Sequence, residues 1–192
     1  HFIILNIGRV SEEKKIDFVM RGLAPQLQEH ADWRFVVIGN GPELEEYKAL
    51  AQELGVQTQI LFAGARPWDQ IGKYYQLGDV FISASQSETQ GLTYIESMAA
   101  GLPVVARRDP CLDGVVIEGE NGSFFEDYEE LQAAVLALYE DVELRKRMSE
   151  HAQMHARIFS APEFARRLAH VYEGAISRFD GNISMQESFF QH

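Results

Sequence analysis

The chain has 192 residues, of which 46% are hydrophobic, enough to bury the core of one ordinary soluble domain. Lys and Arg number 17 against 29 Asp and Glu, so the formal net charge of −12 repels polyanions and excludes nucleic acid and anionic lipid as partners of the average surface. Cys111 is the single cysteine, which excludes an intrachain disulfide or a cysteine-built zinc site and fits a reducing, cytoplasmic setting; no apolar run approaches the roughly 18–20 residues of a membrane span.

The chain opens on His1-Phe2-Ile3-Ile4-Leu5 without an initiator Met or a signal-like segment, as expected of a chain entered partway along. Residues 3–7 are the first apolar run. Helical spacing follows over 16–29, carried by Phe18, Val19, Met20, Leu23 and Leu27. A second run, 34–38, leads to a helix over 42–54 that Gly55 stops. The third run is 59–63, then a helix over 68–77. The fourth is 80–84, then a helix over 92–100 ended by Gly101-Leu102-Pro103. The fifth is 103–106, and 123–125 is a short sixth. The runs do not alternate polar and apolar, so they predict parallel strands buried on both faces. Strands alternating with helices predict an α/β, doubly wound, Rossmann-like parallel sheet with right-handed crossovers. Helices alone are expected over 128–139, 142–159 and 162–178. One domain is therefore expected over 1–178, with a tail over 179–192. Trp33 and Trp68 are expected in or near the core, Cys111 as a small loop or core residue, and His151 and His155 on a solvated helix face.

Ligands of such sheets sit at the carboxyl ends of the strands, so the loops there carry the candidates. The first run ends in Gly8-Arg9-Val10-Ser11-Glu12-Glu13-Lys14-Lys15. A glycine turn with Arg9 and Lys14 can hold a diphosphate, or be a solvated loop neutralised by Glu12 and Glu13. The second ends in Gly39-Asn40-Gly41-Pro42-Glu43, either a backbone approach to a ligand or a plain tight turn. The fourth ends in a segment with Glu88-Thr89-Gln90-Gly91-Leu92 and, one turn into the helix, Glu96. Free amides and the positive dipole end at Gly91 and Leu92 suit a diphosphate, while acidic residues at a helix entrance can also simply stabilise the helix.

The segment SQSETQGLTYIESMAAGLPVVA resembles the Glu-x7-Glu motif of retaining GT-B glycosyltransferases, specifically glycosyltransferase family 4. The opening GRVSEEKK resembles that family's G-R-(apolar)-x-x-E-K-G signature, departing at Lys15, where Gly is usual. IGNGPE and LFAGARPWDQIGKYYQLGDVFISAS follow in the expected order, so the resemblance covers residues 1 to about 175. It implies the C-terminal, donor-binding domain of a hexosyltransferase. Arg9 and Lys14 would grip the donor diphosphate and, with Glu88, carry the catalysis; Gly8 and Gly41 would line the donor pocket. Gly91 and Leu92 would offer amides, while Glu88, Thr89 and Gln90 would contact the sugar. Glu96 would accept from the ribose hydroxyls, and Arg66 would stack on the base. The string followed by CLDGVVIEGENG is similar to bacterial diacylglycerol glucosyltransferases. That implies UDP-glucose as donor and a membrane lipid as acceptor, bound by an N-terminal domain outside this chain and reached by peripheral contact with the membrane's inner face. No cofactor is expected, and there is no Asp-x-Asp metal motif.

Three other readings compete. A nicotinamide-dependent dehydrogenase needs G-x-G-x-x-G after the first strand, and here a lone G-x-G follows the second. A non-catalytic nucleotide-sugar-binding module describes this chain taken by itself. A nucleotide-sugar epimerase shares the fold, but the Glu88–Glu96 pair argues against it.

Overall fold

The computed structural model describes the backbone of residues 1–189 and the side chains of residues 1–177. The described residues form one all-parallel sheet of six strands: β1 (Phe2–Ile7), β2 (Trp33–Ile38), β3 (Ile60–Phe62), β4 (Val80–Ser83), β5 (Val104–Arg107) and β6 (Gly122–Phe125). Helices α1 (Ile16–Glu29), α2 (Leu44–Glu53), α3 (Ile71–Tyr75) and α4 (Leu92–Ala99) lie between strands. Helices α5 (Tyr128–Glu140), α6 (Val142–Ala156) and α7 (Ala161–Phe189) follow the last one. The expected doubly wound α/β sheet is the observed fold.

The strands read as uninterrupted apolar runs because the middle of the sheet is covered on both sides. Ile4, Leu5, Val80, Phe81, Ile82, Val104 and Val105 are all fully buried. At the border the pattern relaxes: Leu61 of β3 is exposed, and β3 is only three residues long. The strand order is β3-β2-β1-β4-β5-β6. The chain winds outward from β1 to β3, then crosses back to lay β4 beside β1. The switch point therefore lies between β1 and β4, and the crevice at their carboxyl ends is the natural ligand site.

Several expectations are redrawn. The helix expected over 68–77 is a 3-10 turn, Trp68–Gln70, followed by the five residues of α3. Trp68 is 83% exposed rather than near the core, because none of that turn is buried; Trp33 is fully buried as expected. The helix expected over 142–159 stops at Ala156 and a 3-10 turn, Arg157–Phe159, follows. His155 is half-buried on its helix, and its Nε2 lies 2.8 Å from the Gly114 carbonyl. The chain divides into two compact units, His1–Ala156 and the residues from Arg157 on. Within α7, Phe164, Val171, Tyr172 and Ile176 are 60–65% exposed. Helix α7 runs through 178/179 into the expected tail, whose residues 190–192 lie outside the described residues.

Candidate functional site

The loop after β1 is held by the loop after β2. The Gly8 amide donates to the Ile38 carbonyl at 3.0 Å and the Val10 amide to the Asn40 carbonyl at 3.0 Å. The Glu43 amide donates back to the Val10 carbonyl at 3.3 Å. This contact explains Gly39 and Gly41. A Cβ on Gly41 would sit 2.0 Å from the Val10 oxygen, and one on Gly39 1.7 Å from the Gly8 oxygen. The second glycine loop is thus a buttress behind the first, and the lone G-x-G needs no ligand to account for it.

From that support the chain turns through Glu12–Lys14 and enters α1 at Lys15, which sits in the left-handed region at φ 48°, ψ 41°. Lys15 is the one non-glycine residue with positive φ among the described residues, which is why the resembling signature has glycine there. The turn aims Lys14 across the switch point. Its Nζ donates to Glu88 Oε1, 74 residues away, at 2.6 Å. Both side chains are substantially covered, 25% and 13% exposed, so the pair is shielded from water more than a surface bridge. Arg9 lies exposed on the same loop.

The other wall is the start of α4. Gly91, its N-cap, is left-handed at φ 60° and has no side-chain cap. The amides of Gly91, Leu92 and Thr93 meet no acceptor among the described residues, while the Tyr94 and Ile95 amides donate to the Gly91 carbonyl. Uncapped amides at a helix N-terminus beside a lysine form an anion-binding arrangement. Thr89 and Gln90 lie exposed on the approach to it. Buried Tyr94 fixes the helix from beneath, its ring edge-on to Phe81 of β4 at 5.5 Å.

The two glutamates of the motif have different partners. Glu88 meets Lys14, whereas Glu96 Oε2 accepts from the Tyr75 hydroxyl at 2.8 Å. Burial, then the Glu96 charge, pushes the Tyr75 phenol far up, so it stays a donor. Glu96 also lines a cavity of about 450 Å³ between α3 and α4, together with Trp68, Lys73, Tyr75 and Ala99. Arg66 follows the border strand β3 and packs its guanidinium over the Tyr74 ring at 5.4 Å, so a base stacking on it must compete with that contact.

Residues outside the motifs also reach the carboxyl ends. Arg107 ends β5 with its guanidinium 4.7 Å from the Phe18 ring, and Arg108 lies 4.2 Å over Phe124. The signal was present in the sequence: both follow the fifth apolar run, the loop that the motifs do not cover. Cys111 is half-buried; burial first, and then Asp109 beside it, pushes its thiol up to about 12. No group of three or more metal-ligating side chains occurs among the described residues.

A family model described as glycosyl transferases group 1 matches residues 1–155, which coincides with the first compact unit. The chain is 36% identical to an alpha-monoglucosyldiacylglycerol synthase of Streptococcus pneumoniae over 98% of its own length and 43% of the relative's. It is 30% identical to a protein of the same name from Acholeplasma laidlawii, over 92% and 44%. A D-inositol 3-phosphate glycosyltransferase of Corynebacterium kroppenstedtii is also 30% identical, over 92% and 41%. The chain therefore spans less than half the length of the curated relatives it matches. Among solved structures, the pneumococcal O-GlcNAc transferase GtfA in complex with UDP and GlcNAc superposes with a TM-score of 0.80 at 22% identity, over 91% of this chain and 36% of that one. Anabaena Alr3699/HepE in complex with UDP superposes with a TM-score of 0.81 at 22% identity, over 91% and 49%. These two likenesses bear on the fold alone.

Proposed function

The chain belongs to the glycosyl transferases group 1, and on that premise we propose that it is the donor-binding half of a retaining GT-B glycosyltransferase that transfers glucose from UDP-glucose to diacylglycerol. The acceptor is held by a second domain outside this chain, at the inner face of a membrane. No described helix is long and apolar enough to cross a bilayer, and the reading assigns this half peripheral contact with the lipid surface. The names of the two more similar curated relatives support the lipid acceptor, and the UDP in two structural neighbours supports the nucleotide.

The observation that carries the reading is the meeting of Lys14 with Glu88 at the switch point, beside the uncapped amides of α4. In the reaction the bond from the glucose C1 to the diphosphate oxygen breaks and a bond from C1 to the acceptor oxygen forms on the same face. The acceptor proton passes to the departing diphosphate. Negative charge grows on that diphosphate, and Lys14, Arg9 and the amides of Gly91 to Thr93 are the groups that receive it. Glu88 orients the sugar with Thr89 and Gln90, and Glu96 takes the ribose. All the relatives compared above are named as synthases or transferases, which favours transfer over the epimerase alternative.

The test is radiolabelled UDP-glucose and dioleoylglycerol vesicles presented to the full-length protein that contains this chain. An α-linked monoglucosyl lipid is the expected product. Glucose released to water without a lipid product, or transfer only to a soluble acceptor, would contradict the acceptor assignment.

A further inference from the structure

The Tyr75 hydroxyl sits in a place that the reaction scheme leaves unexplained. The residue ends α3, is 1% exposed, and tilts its ring against Phe81 of β4 at 6.1 Å. A buried phenol needs an acceptor, and a backbone carbonyl would serve. Here it instead reaches a different helix, 21 residues away, and donates to one oxygen of a partly exposed carboxylate. Glu96 Oε1 has no hydrogen-bond partner among the described residues. A glutamate with three rotatable bonds is thereby held through one oxygen, beside the cavity between α3 and α4 that the residue lines, and its other oxygen keeps its acceptor capacity.

The two carboxylates of the site are thus held by donors of different kinds. Glu88 is met by a cation, which a diphosphate can draw away. Glu96 is met by a neutral hydroxyl, which leaves its full negative charge and its acceptor strength in place. We infer that Tyr75 is a positioning residue for the nucleotide: it fixes Glu96 so that the other oxygen accepts from the ribose hydroxyls, and so sets the preference for a ribonucleotide over its deoxy analogue. The inference rests on the donor-site reading of Glu96 and gives a role to a residue that the resemblance leaves without one. Ordering the glutamate before the ligand arrives removes a term that otherwise weakens binding.

The experiment is a calorimetric titration of the chain with UDP and with 2′,3′-dideoxy-UDP, repeated on Tyr75→Phe and Glu96→Gln. A hydrogen bond to a charged acceptor predicts that the unmodified chain prefers UDP by about tenfold or more. In Tyr75→Phe the preference falls to within about threefold, while dideoxy-UDP binds as it does to the unmodified chain. A merely structural role predicts that both ligands weaken together with the preference retained, and that result overturns the inference, as does an unchanged preference with unchanged affinities. Glu96→Gln separates the levels. If it abolishes the preference and Tyr75→Phe does not, only the role of Tyr75 fails. If it too leaves the preference intact, or if the unmodified chain does not bind UDP, the donor-site reading fails as well. Should Tyr75→Phe not fold, 3-fluorotyrosine labelling gives a second readout. The fluorine resonance of residue 75 is expected to shift with UDP and not with dideoxy-UDP, and a resonance indifferent to UDP overturns the assignment.

Discussion

The ion pair between Lys14 and Glu88 makes a counterintuitive prediction: removing an acidic residue from the site tightens binding of the free nucleoside diphosphate. In the unliganded chain Lys14 Nζ is spent on Glu88 at 2.6 Å. A diphosphate must take the lysine from that partner and then lie near a second negative charge. A hydrogen bond between charged, partly covered groups contributes about 1.5–3 kcal/mol. Part of that returns when Lys14 regrips the diphosphate and part as Glu88 rehydrates, which leaves a net effect of about 1–2 kcal/mol. Glu88→Gln is therefore expected to tighten UDP by roughly 5- to 30-fold. Lys14→Ala is expected to loosen it at least tenfold, and the double variant to fall short of the sum because the two residues share one contact. UDP-glucose behaves oppositely towards Glu88→Gln, since the carboxylate that repels the diphosphate is the one that orients the sugar. Isothermal titration of the unmodified chain and the three variants with both ligands measures this. UDP binding weakened by Glu88→Gln, or strict additivity of the two changes, would refute the reasoning.

Other consequences follow from single positions. Lys15→Gly relieves a left-handed conformation that costs a side-chain-bearing residue about 1–2 kcal/mol, less the extra flexibility of glycine in the unfolded chain. The midpoint of thermal unfolding should rise by about 2–4 °C, and a fall would show that Lys15 is not strained. Gly41→Ala drives a Cβ to within 2.0 Å of the Val10 carbonyl and must displace the loop that carries Arg9 and Lys14. It should lower stability by about 2 kcal/mol and weaken UDP together with it, checked by denaturant titration and calorimetry. Cys111 ordinarily titrates near 9.0 and is pushed up to about 12, so between those values the folded thiol stays protonated where a free one ionises. Its reaction with an aromatic disulfide at pH 8 should be at least tenfold slower than that of free cysteine, and should reach the free rate on unfolding.

The sequence revealed the fold class because its physical signal is local: β4 and β5 are covered on both faces, so each opens on consecutive apolar residues, Val80-Phe81-Ile82 and Val104-Val105-Ala106, rather than alternating. The strand order was not legible, since nothing in the run at 80–84 says that it returns to lie beside β1. For the same reason the motif residues could be named but not paired. Lys14 and Glu88 meet only because the sheet reverses between them. Gly41 was read as lining a ligand pocket, and its tight contact with Val10 shows what a glycine spacing alone hides: close approach to a backbone looks the same in sequence whether the backbone is a neighbour's or the ligand's place is next to it. Trp68 misled because an aromatic residue at helical spacing reads as core, while a 3-10 turn swings it outward. Tyr75 lies in an apolar helix pattern that carries no hint of a hydrogen bond to Glu96.

The central claim is that the switch point between β1 and β4 binds the diphosphate of a uridine nucleotide. The direct measurement is a calorimetric titration of this chain with UDP, GDP and ADP, with Lys14→Ala and Glu96→Ala alongside. Saturable binding of UDP in preference to the other two, weakened more than tenfold by each substitution (about 1.4 kcal/mol), is the predicted result. UDP binding that survives both substitutions unchanged would contradict the site, and tighter binding of GDP or ADP would contradict the nucleotide.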